Sequence, residues 1–133
     1  MKFKNKKQKE MEVIAATSFD ERFDAQNVVD PDLSKFWVTT GLFPQELVIE
    51  ARGGANLGEV RMVTTNVRLV QIELCKNEGA SDFAKAGEKE VDHNYGGHQN
   101  FAVPIKDGNG TRFIKVILAA GYDDFASVHK IDF

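Results

Sequence analysis

Cysteine is almost missing from this chain: Cys75 stands alone among 133 residues. A lone cysteine cannot close an internal disulfide, so the fold must rest on its core. Cys75 ends the mostly apolar run Leu69–Cys75 and reads as a small buried side chain in a reducing compartment. Long hydrophobic stretches are missing too. Nothing comes near the roughly 18 uninterrupted apolar residues of a membrane span, and direct membrane insertion is not expected. The opening MKFKNKKQKE lacks the apolar segment of a secretory signal, so nothing in it directs export.

Grouped positive charge is scarce beyond the first ten residues. Those ten hold five lysines and one glutamate, a local +4 within a chain of net charge −3, which leaves the remainder about seven units negative. Phosphate contacts need clustered Lys and Arg, so nucleic acid is not expected as a partner. The basic segment reads as a flexible, solvated tail over residues 1–11, followed by a single domain over residues 12–133. Hydrophobic residues at 42% and charged residues at 28% place that domain among ordinary globular proteins. A chain of this size can bury about two-thirds of its unfolded surface, enough for a self-sufficient core.

What is present repeats mostly with the period of strands. In Val60-Arg61-Met62-Val63-Thr64, residues 60, 62 and 64 share one face. Phe101, Val103 and Ile105 alternate as well, with Pro104 on the other side, which predicts an edge strand. Further strands are expected over Glu12–Thr17, Glu46–Ala51, Val67–Cys75, Arg112–Ala119 and Ser127–Phe133. Val67 and Leu69 lie on one face and Val70, Ile72 and Leu74 on the other, the phase shift of a β-bulge. Phe113–Leu118 is apolar on both faces, as in a central strand. Lys106-Asp107-Gly108-Asn109-Gly110 suits a hairpin between the two strands that flank it, and 52–56 and 94–97 punctuate in the same way. Asp82–Lys89 is the one segment that could host a short helical turn. Seven or eight short strands without an internal repeat point to an all-β sandwich or barrel.

The segment Asn27-Val28-Val29-Asp30-Pro31-Asp32-Leu33-Ser34-Lys35-Phe36-Trp37 gathers oxygen donors around a bend. A hard cation such as Ca²⁺ takes six to eight oxygens, many of them backbone carbonyls, so one or two carboxylates on a curled loop suffice. An EF-hand is excluded, since Lys35 and Gly41 stand where that loop needs glycine and a bidentate glutamate. On the residues alone, two readings stand: a solvated acidic turn whose carboxylates accept backbone N–H groups, or a metal loop.

Other constellations are weaker. His93, His98 and His129 have no local cysteine partner and read as loop and surface residues rather than a transition-metal set. Serines 18, 34, 81 and 127 lack a nucleophile-elbow setting. Asp123 and Asp124 are adjacent and point apart in extended chain. Gly53-Gly54 and Gly108-Asn109-Gly110 lack the lysine and following helix of a phosphate loop. No catalytic residue is assigned, and the chain is not expected to be an enzyme. Phe19, Phe23, Phe43, Tyr95, Tyr122 and Phe125 fall in connectors, where they either plug the ends of a core or, if exposed, form a recognition patch.

Several blocks together resemble one family: Ile14-Ala15-Ala16-Thr17-Ser18, Asn27-Val28-Val29-Asp30, Phe36-Trp37-Val38-Thr39-Thr40-Gly41-Leu42-Phe43-Pro44-Gln45 and Phe125-Ala126-Ser127-Val128-His129. The chain is similar over residues 12–133 to the intraflagellar transport protein 25 family. That resemblance implies an antiparallel jelly-roll β-sandwich, galactose-binding-domain-like (discoidin type). It implies a non-enzymatic subunit of intraflagellar transport complex B, paired with a Rab-like small GTPase subunit and in contact with other complex B subunits. The location implied is the cilium or flagellum and the cytoplasm.

The resemblance also implies a structural calcium ion held by Asn27, Asp30, Asp32 and Lys35, with Ser127 contributed from the last strand region. Family members can carry threonine where Lys35 stands, so a hydroxyl is lost there and a cation brought close. No residues are assigned to partner binding. The fold invites a second reading, a carbohydrate-binding module. That reading needs an exposed aromatic platform, whereas Trp37 follows Phe36 toward the core.

Overall fold

The alternation in residues 60–64 is realised as burial: Val60, Met62 and Thr64 are each no more than 2% exposed, while Arg61 stays in solvent. The computed structural model describes residues 10–18, 21–30, 32, 34–39 and 42–133. Among them nine strands run β1 (Met11–Ala16), β2 (Trp37–Val38), β3 (Gln45–Ala55), β4 (Glu59–Thr65), β5 (Val67–Cys75), β6 (Ala84–Glu90), β7 (Gln99–Pro104), β8 (Thr111–Gly121) and β9 (Ser127–Asp132). They form a five-stranded sheet in the order β1-β3-β8-β5-β6 and a four-stranded sheet in the order β2-β9-β4-β7. Neighbouring strands are antiparallel throughout, which makes the fold an antiparallel jelly-roll β-sandwich.

The core lies between the sheets. Ile114, Val116 and Leu118 of β8 interleave with Leu47 and Ile49 of β3 and with Val70, Ile72 and Leu74 of β5. β8 is the central strand that its two apolar faces predict. Its outer side chains Phe113 and Ile117 are also buried, although they stand apart from the core cluster. The phase shift in β5 is real: its register against β8 slips on both sides of Leu69, so Val67 and Val70 both reach full burial. β7 occupies an edge, where the missing N–H of Pro104 costs no ladder bond.

Two expectations need correction. Asp82–Lys89 holds no helical turn, because its residues enter edge strand β6, in register with β5 from Leu69↔Glu90 to Leu74↔Ala84. Alanine, glycine, lysine and glutamate are weak strand formers, so pairing and not propensity decides this segment. Residues 106–110 do not form a hairpin either. β7 pairs with β4 whereas β8 pairs with β3 and β5, so the connector crosses from one sheet to the other. It is pinned to the β3–β4 turn by Leu57 N–H donating to the Gly108 carbonyl at 3.0 Å and by Gly110 N–H donating to Asn56 Oδ1 at 3.0 Å.

The strand directions gather 42–44, 91–98 and 122–126 at one end of the sandwich, and 56–58, 76–83 and 105–110 at the other. Buried glutamines clasp the first end. Gln45 Oε1 accepts from Thr17 Oγ1 at 2.6 Å and from Ser18 Oγ at 2.5 Å, and its Nε2 donates to Leu42 O at 2.6 Å.

Candidate functional site

The loop that the sequence singles out follows β1 as two short 3₁₀ turns, Glu21–Phe23 and Ala25–Val29. Asp24 starts the second, its side chain accepting from Gln26 N–H at 2.9 Å. Val28 and Val29 bury the inner side of this turn against the core. Gln26 reaches back to β1 and bonds both the N–H (3.3 Å) and the carbonyl of Val13, beside the bulge in that edge strand. The segment is thus stapled to the sandwich before the acidic residues begin.

Asn27 donates its side-chain N–H to the Phe36 carbonyl at 3.0 Å, which closes the loop, while its own carbonyl accepts from Asp30 N–H at 3.1 Å. Asp30 Oδ1 accepts from Asp32 N–H at 2.9 Å, and its Oδ2 faces Lys35 Nζ at 3.6 Å. Asp32 Oδ1 accepts from Ser34 N–H at 2.9 Å and from Ser34 Oγ at 2.7 Å, and the Asp32 carbonyl accepts from Lys35 N–H at 3.1 Å. The Ser34 hydroxyl, then its N–H, and to a smaller degree the Lys35 charge, hold the exposed Asp32 carboxyl below its ordinary value. Pro31 and Leu33 lie outside the described residues.

Asn27, Asp30, Asp32 and Lys35 therefore share one loop, with its acidic side chains turned into local backbone caps. Ser127 is held elsewhere. It begins β9, is 8% exposed, and its Oγ lies 2.5 Å from Thr65 Oγ1 and 3.0 Å from His129 Nε2. The route from the loop to Ser127 runs through rings: the Phe36 ring stacks on His129 at 4.8 Å and on Phe23 at 5.0 Å. The donor set suits a hard cation, since Asn27 Oδ1 has no hydrogen-bond donor among the described residues and each carboxylate keeps an oxygen off the backbone. Lys35 is the competing cation. Among the described residues, no three His, Cys, Asp or Glu side chains converge to hold a metal.

The histidines divide by environment. His93 and His98 stand exposed in the β6–β7 loop, whereas His129 is buried in β9, so the surface reading of His129 is corrected. Trp37 is fully buried, its indole N–H donating to Ser18 O at 3.1 Å. The connector aromatics divide as well. Phe23 and Phe43 are partly buried, Phe19 lies outside the described residues, and Tyr95, Tyr122 and Phe125 are exposed. The packing expected of connector aromatics thus holds for Phe23 and Phe43, while Tyr95, Tyr122 and Phe125 keep their rings at the surface. What composition could not disclose is the stack of His93 between Tyr95 and Tyr122, with ring centres 4.4 Å apart on each side.

No family profile matches the chain. Curated proteins do: the intraflagellar transport protein 25 homolog of Mus musculus is 37% identical over 120 residues, covering 90% of this chain and 83% of that protein. The Homo sapiens homolog is 34% identical over the same share of each. Intraflagellar transport protein 25 of Chlamydomonas reinhardtii is 32% identical over 90% of this chain and 62% of its own length. Among solved structures, the family 32 carbohydrate-binding module of Clostridium perfringens NanJ in complex with galactose superposes with TM-score 0.75 at 18% identity, covering 94% of this chain and 93% of that one. Chitosan-binding module 2 from a Paenibacillus chitosanase/glucanase superposes with TM-score 0.78 at 13% identity, covering 92% and 95%. At such identities the likeness is one of galactose-binding-like jelly-roll fold.

Proposed function

Because the chain belongs to the intraflagellar transport protein 25 family, we propose that it is a non-enzymatic adaptor of intraflagellar transport complex B that pairs with a Rab-like small GTPase subunit. Membership itself gives the coarser statement: this is an intraflagellar transport protein of the cilium or flagellum. The observation that carries the finer one is the extent of the match, 120 residues and 90% of the chain, which spans both sheets and the loops between them. Affinity purification of the tagged chain from ciliated cells should recover a Rab-like GTPase in equal amount. Recovery of glycoproteins with no GTPase would defeat the reading.

The calcium ion belongs to the same proposal. Asn27 and Lys35 would offer carbonyls, Asp30 and Asp32 carboxylates, and Ser127 its hydroxyl. The Ser127 hydroxyl already meets Thr65 and His129, and when it donates to one of them a lone pair is left for the ion. The ion would supply charge neutralisation and crosslinking, fastening the loop to the β9 end of the sandwich. Chelation with EGTA should lower the melting temperature, and Asp30→Ala should reproduce that loss and make the melt insensitive to EGTA. A melt unchanged by both sinks the site.

The sugar-binding reading finds no support in tryptophan. Trp37, the only one in the chain, is fully buried, and the sugars in the related structures are bound by those proteins at identities of 18% or less.

A further inference from the structure

Four of the five large hydrophobic side chains most exposed on the described surface sit at one end of the sandwich. Leu42 is 81% exposed, Tyr95 87%, Phe125 55% and Tyr122 38%. Scattered exposed hydrophobics need no explanation, but a group of them at the loop end of a sandwich marks a contact surface. Tyrosine is among the residues that dominate binding hot spots.

The loops that carry this group are built to hold it out. Tyr95 adopts φ +51°, a conformation rare for a bulky side chain. The turn around it is locked by Gly97 N–H donating to Asn94 O at 2.8 Å and by Asn94 Nδ2 donating to His98 O at 2.7 Å. The Tyr95 ring leans on His93, which stacks on Tyr122. Tyr122 in turn donates its hydroxyl to Val91 O at 2.6 Å. The neighbouring loop is seated by Phe43, whose ring fills the space beside Gly121, where a Cβ would lie 2.4 Å from it. Tyr122 is thus anchored by its hydroxyl and its stack on His93, and the Tyr95 ring leans on that pair from a locked turn, which reduces the ordering cost of association.

Charge chooses among partners. Residues 91–98, 121–126 and 42–45 contain Asp92, Asp123 and Asp124 and no lysine or arginine, and all three carboxylates are exposed. Aromatic faces and carboxylates together attract cations. The same carboxylates repel an anionic lipid surface. The complementary occupant is a protein segment that offers lysine or arginine beside apolar side chains.

We propose that this loop end, centred on the Tyr95–His93–Tyr122 stack and flanked by Phe125, is a docking surface for a basic segment of a protein partner. A cationic side chain lies on the exposed face of Tyr95, with its charge shared by Asp92, Asp123 and Asp124. The inference deepens the adaptor reading and rests on it, but the two fail separately. Loss of the GTPase from the purification defeats the adaptor reading, whereas a GTPase retained unchanged by Tyr95→Ala defeats only the assignment of this surface as its site.

The test uses the full chain against synthetic peptides of three classes, Lys/Arg-rich with apolar residues, Asp/Glu-rich, and uncharged apolar. Phosphatidylserine vesicles and immobilised galactose are run beside them. Selective, salt-sensitive binding of the basic class is expected, weakened about tenfold in Tyr95→Ala. The double variant Asp123→Lys/Asp124→Lys should shift preference toward the acidic class. Both variants change exposed side chains, and an unaltered melting curve verifies their folding. Absence of any preference for basic peptides, or a preference that both variants leave intact, overturns the proposal. Binding of vesicles or galactose that Tyr95→Ala abolishes also overturns it, and reassigns the surface to lipid or sugar.

Discussion

Asp32 shows how a side chain that looks like a metal ligand is first put to use by its own backbone. Ser34 gives it two hydrogen bonds, from Oγ at 2.7 Å and from N–H at 2.9 Å, and both favour the charged form. The folded carboxyl therefore titrates below its unfolded value of about 3.9. A depressed folded pKa contributes stability above the unfolded pKa, and that contribution disappears as the pH falls through the folded value. In Ser34→Ala the larger of the two bonds is lost while the N–H remains. The Asp32 titration midpoint, followed by NMR at its carboxyl carbon, should rise toward the ordinary value. Superimposable titrations of wild type and variant would refute the assignment. Because Asp32 is exposed, the change is one of local ionisation, and through it of the charge the loop can present to a cation.

At the scale of elements, what was legible and what was not divides along a physical line. β8 could be read because both its faces are apolar, and that happens only where a strand is covered on two sides. The slip around Leu69 could be read because burial follows side-chain phase. β6 could not. Nothing in Ala84-Lys85-Ala86-Gly87-Glu88-Lys89-Glu90 prefers a strand, and its place is set by β5 on one side and by the approach of β7 on the other. The connector 106–110 has hairpin residues but serves as a crossover, since turn chemistry fixes local bends and not which sheet the next strand joins. The acidic loop was visible as a donor pattern, and the capping that its reading as an acidic turn expects is present, Asp30 accepting from Asp32 N–H and Asp32 from Ser34 N–H. The ring stack at the loop end depends on three residues from two loops that only the fold brings together.

Gly87 marks the place where the β6 decision is made. A Cβ there would lie 2.6 Å from the Pro104 carbonyl and 3.0 Å from Val103 Cγ1, so the edge strands of the two sheets approach through a gap that only glycine leaves open. Gly87→Ala should force β6 and β7 apart at a cost of about 1–3 kcal/mol, as for other overpacked positions. Urea denaturation would measure it. A variant as stable as wild type would show that the edges separate without loss.

At the scale of the whole molecule, two sheets must be held in one arrangement, and a single buried side chain ties together two of the crossovers that join them, β4 to β5 and β6 to β7. Gln99 in β7 is 5% exposed, and every polar atom of its amide is used. Its Oε1 accepts from Thr64 Oγ1 at 2.7 Å, at the end of β4, and from Val67 N–H at 3.0 Å, at the start of β5. Its Nε2 donates to Val67 O at 2.7 Å and to Asp92 O at 2.9 Å, in the loop leaving β6. The chain passes from the four-stranded to the five-stranded sheet through Asn66, at φ +59°, between the two residues that Gln99 holds. Gln99→Leu keeps the volume roughly constant but strands two donors and two carbonyls in the interior. Each buried polar group left without a partner costs about 1–3 kcal/mol, partly recovered by relaxation and water entry. A net loss of about 2–5 kcal/mol is expected, large against the total stability of a domain this size. Chemical denaturation would give the loss. Hydrogen exchange would locate it, with faster exchange at Val67 and along β7 while the β3–β8 pairing stays protected. Uniform acceleration across both sheets would mean that Gln99 stabilises only the global fold, and unchanged stability would mean that the strand pairing alone holds the sheets together.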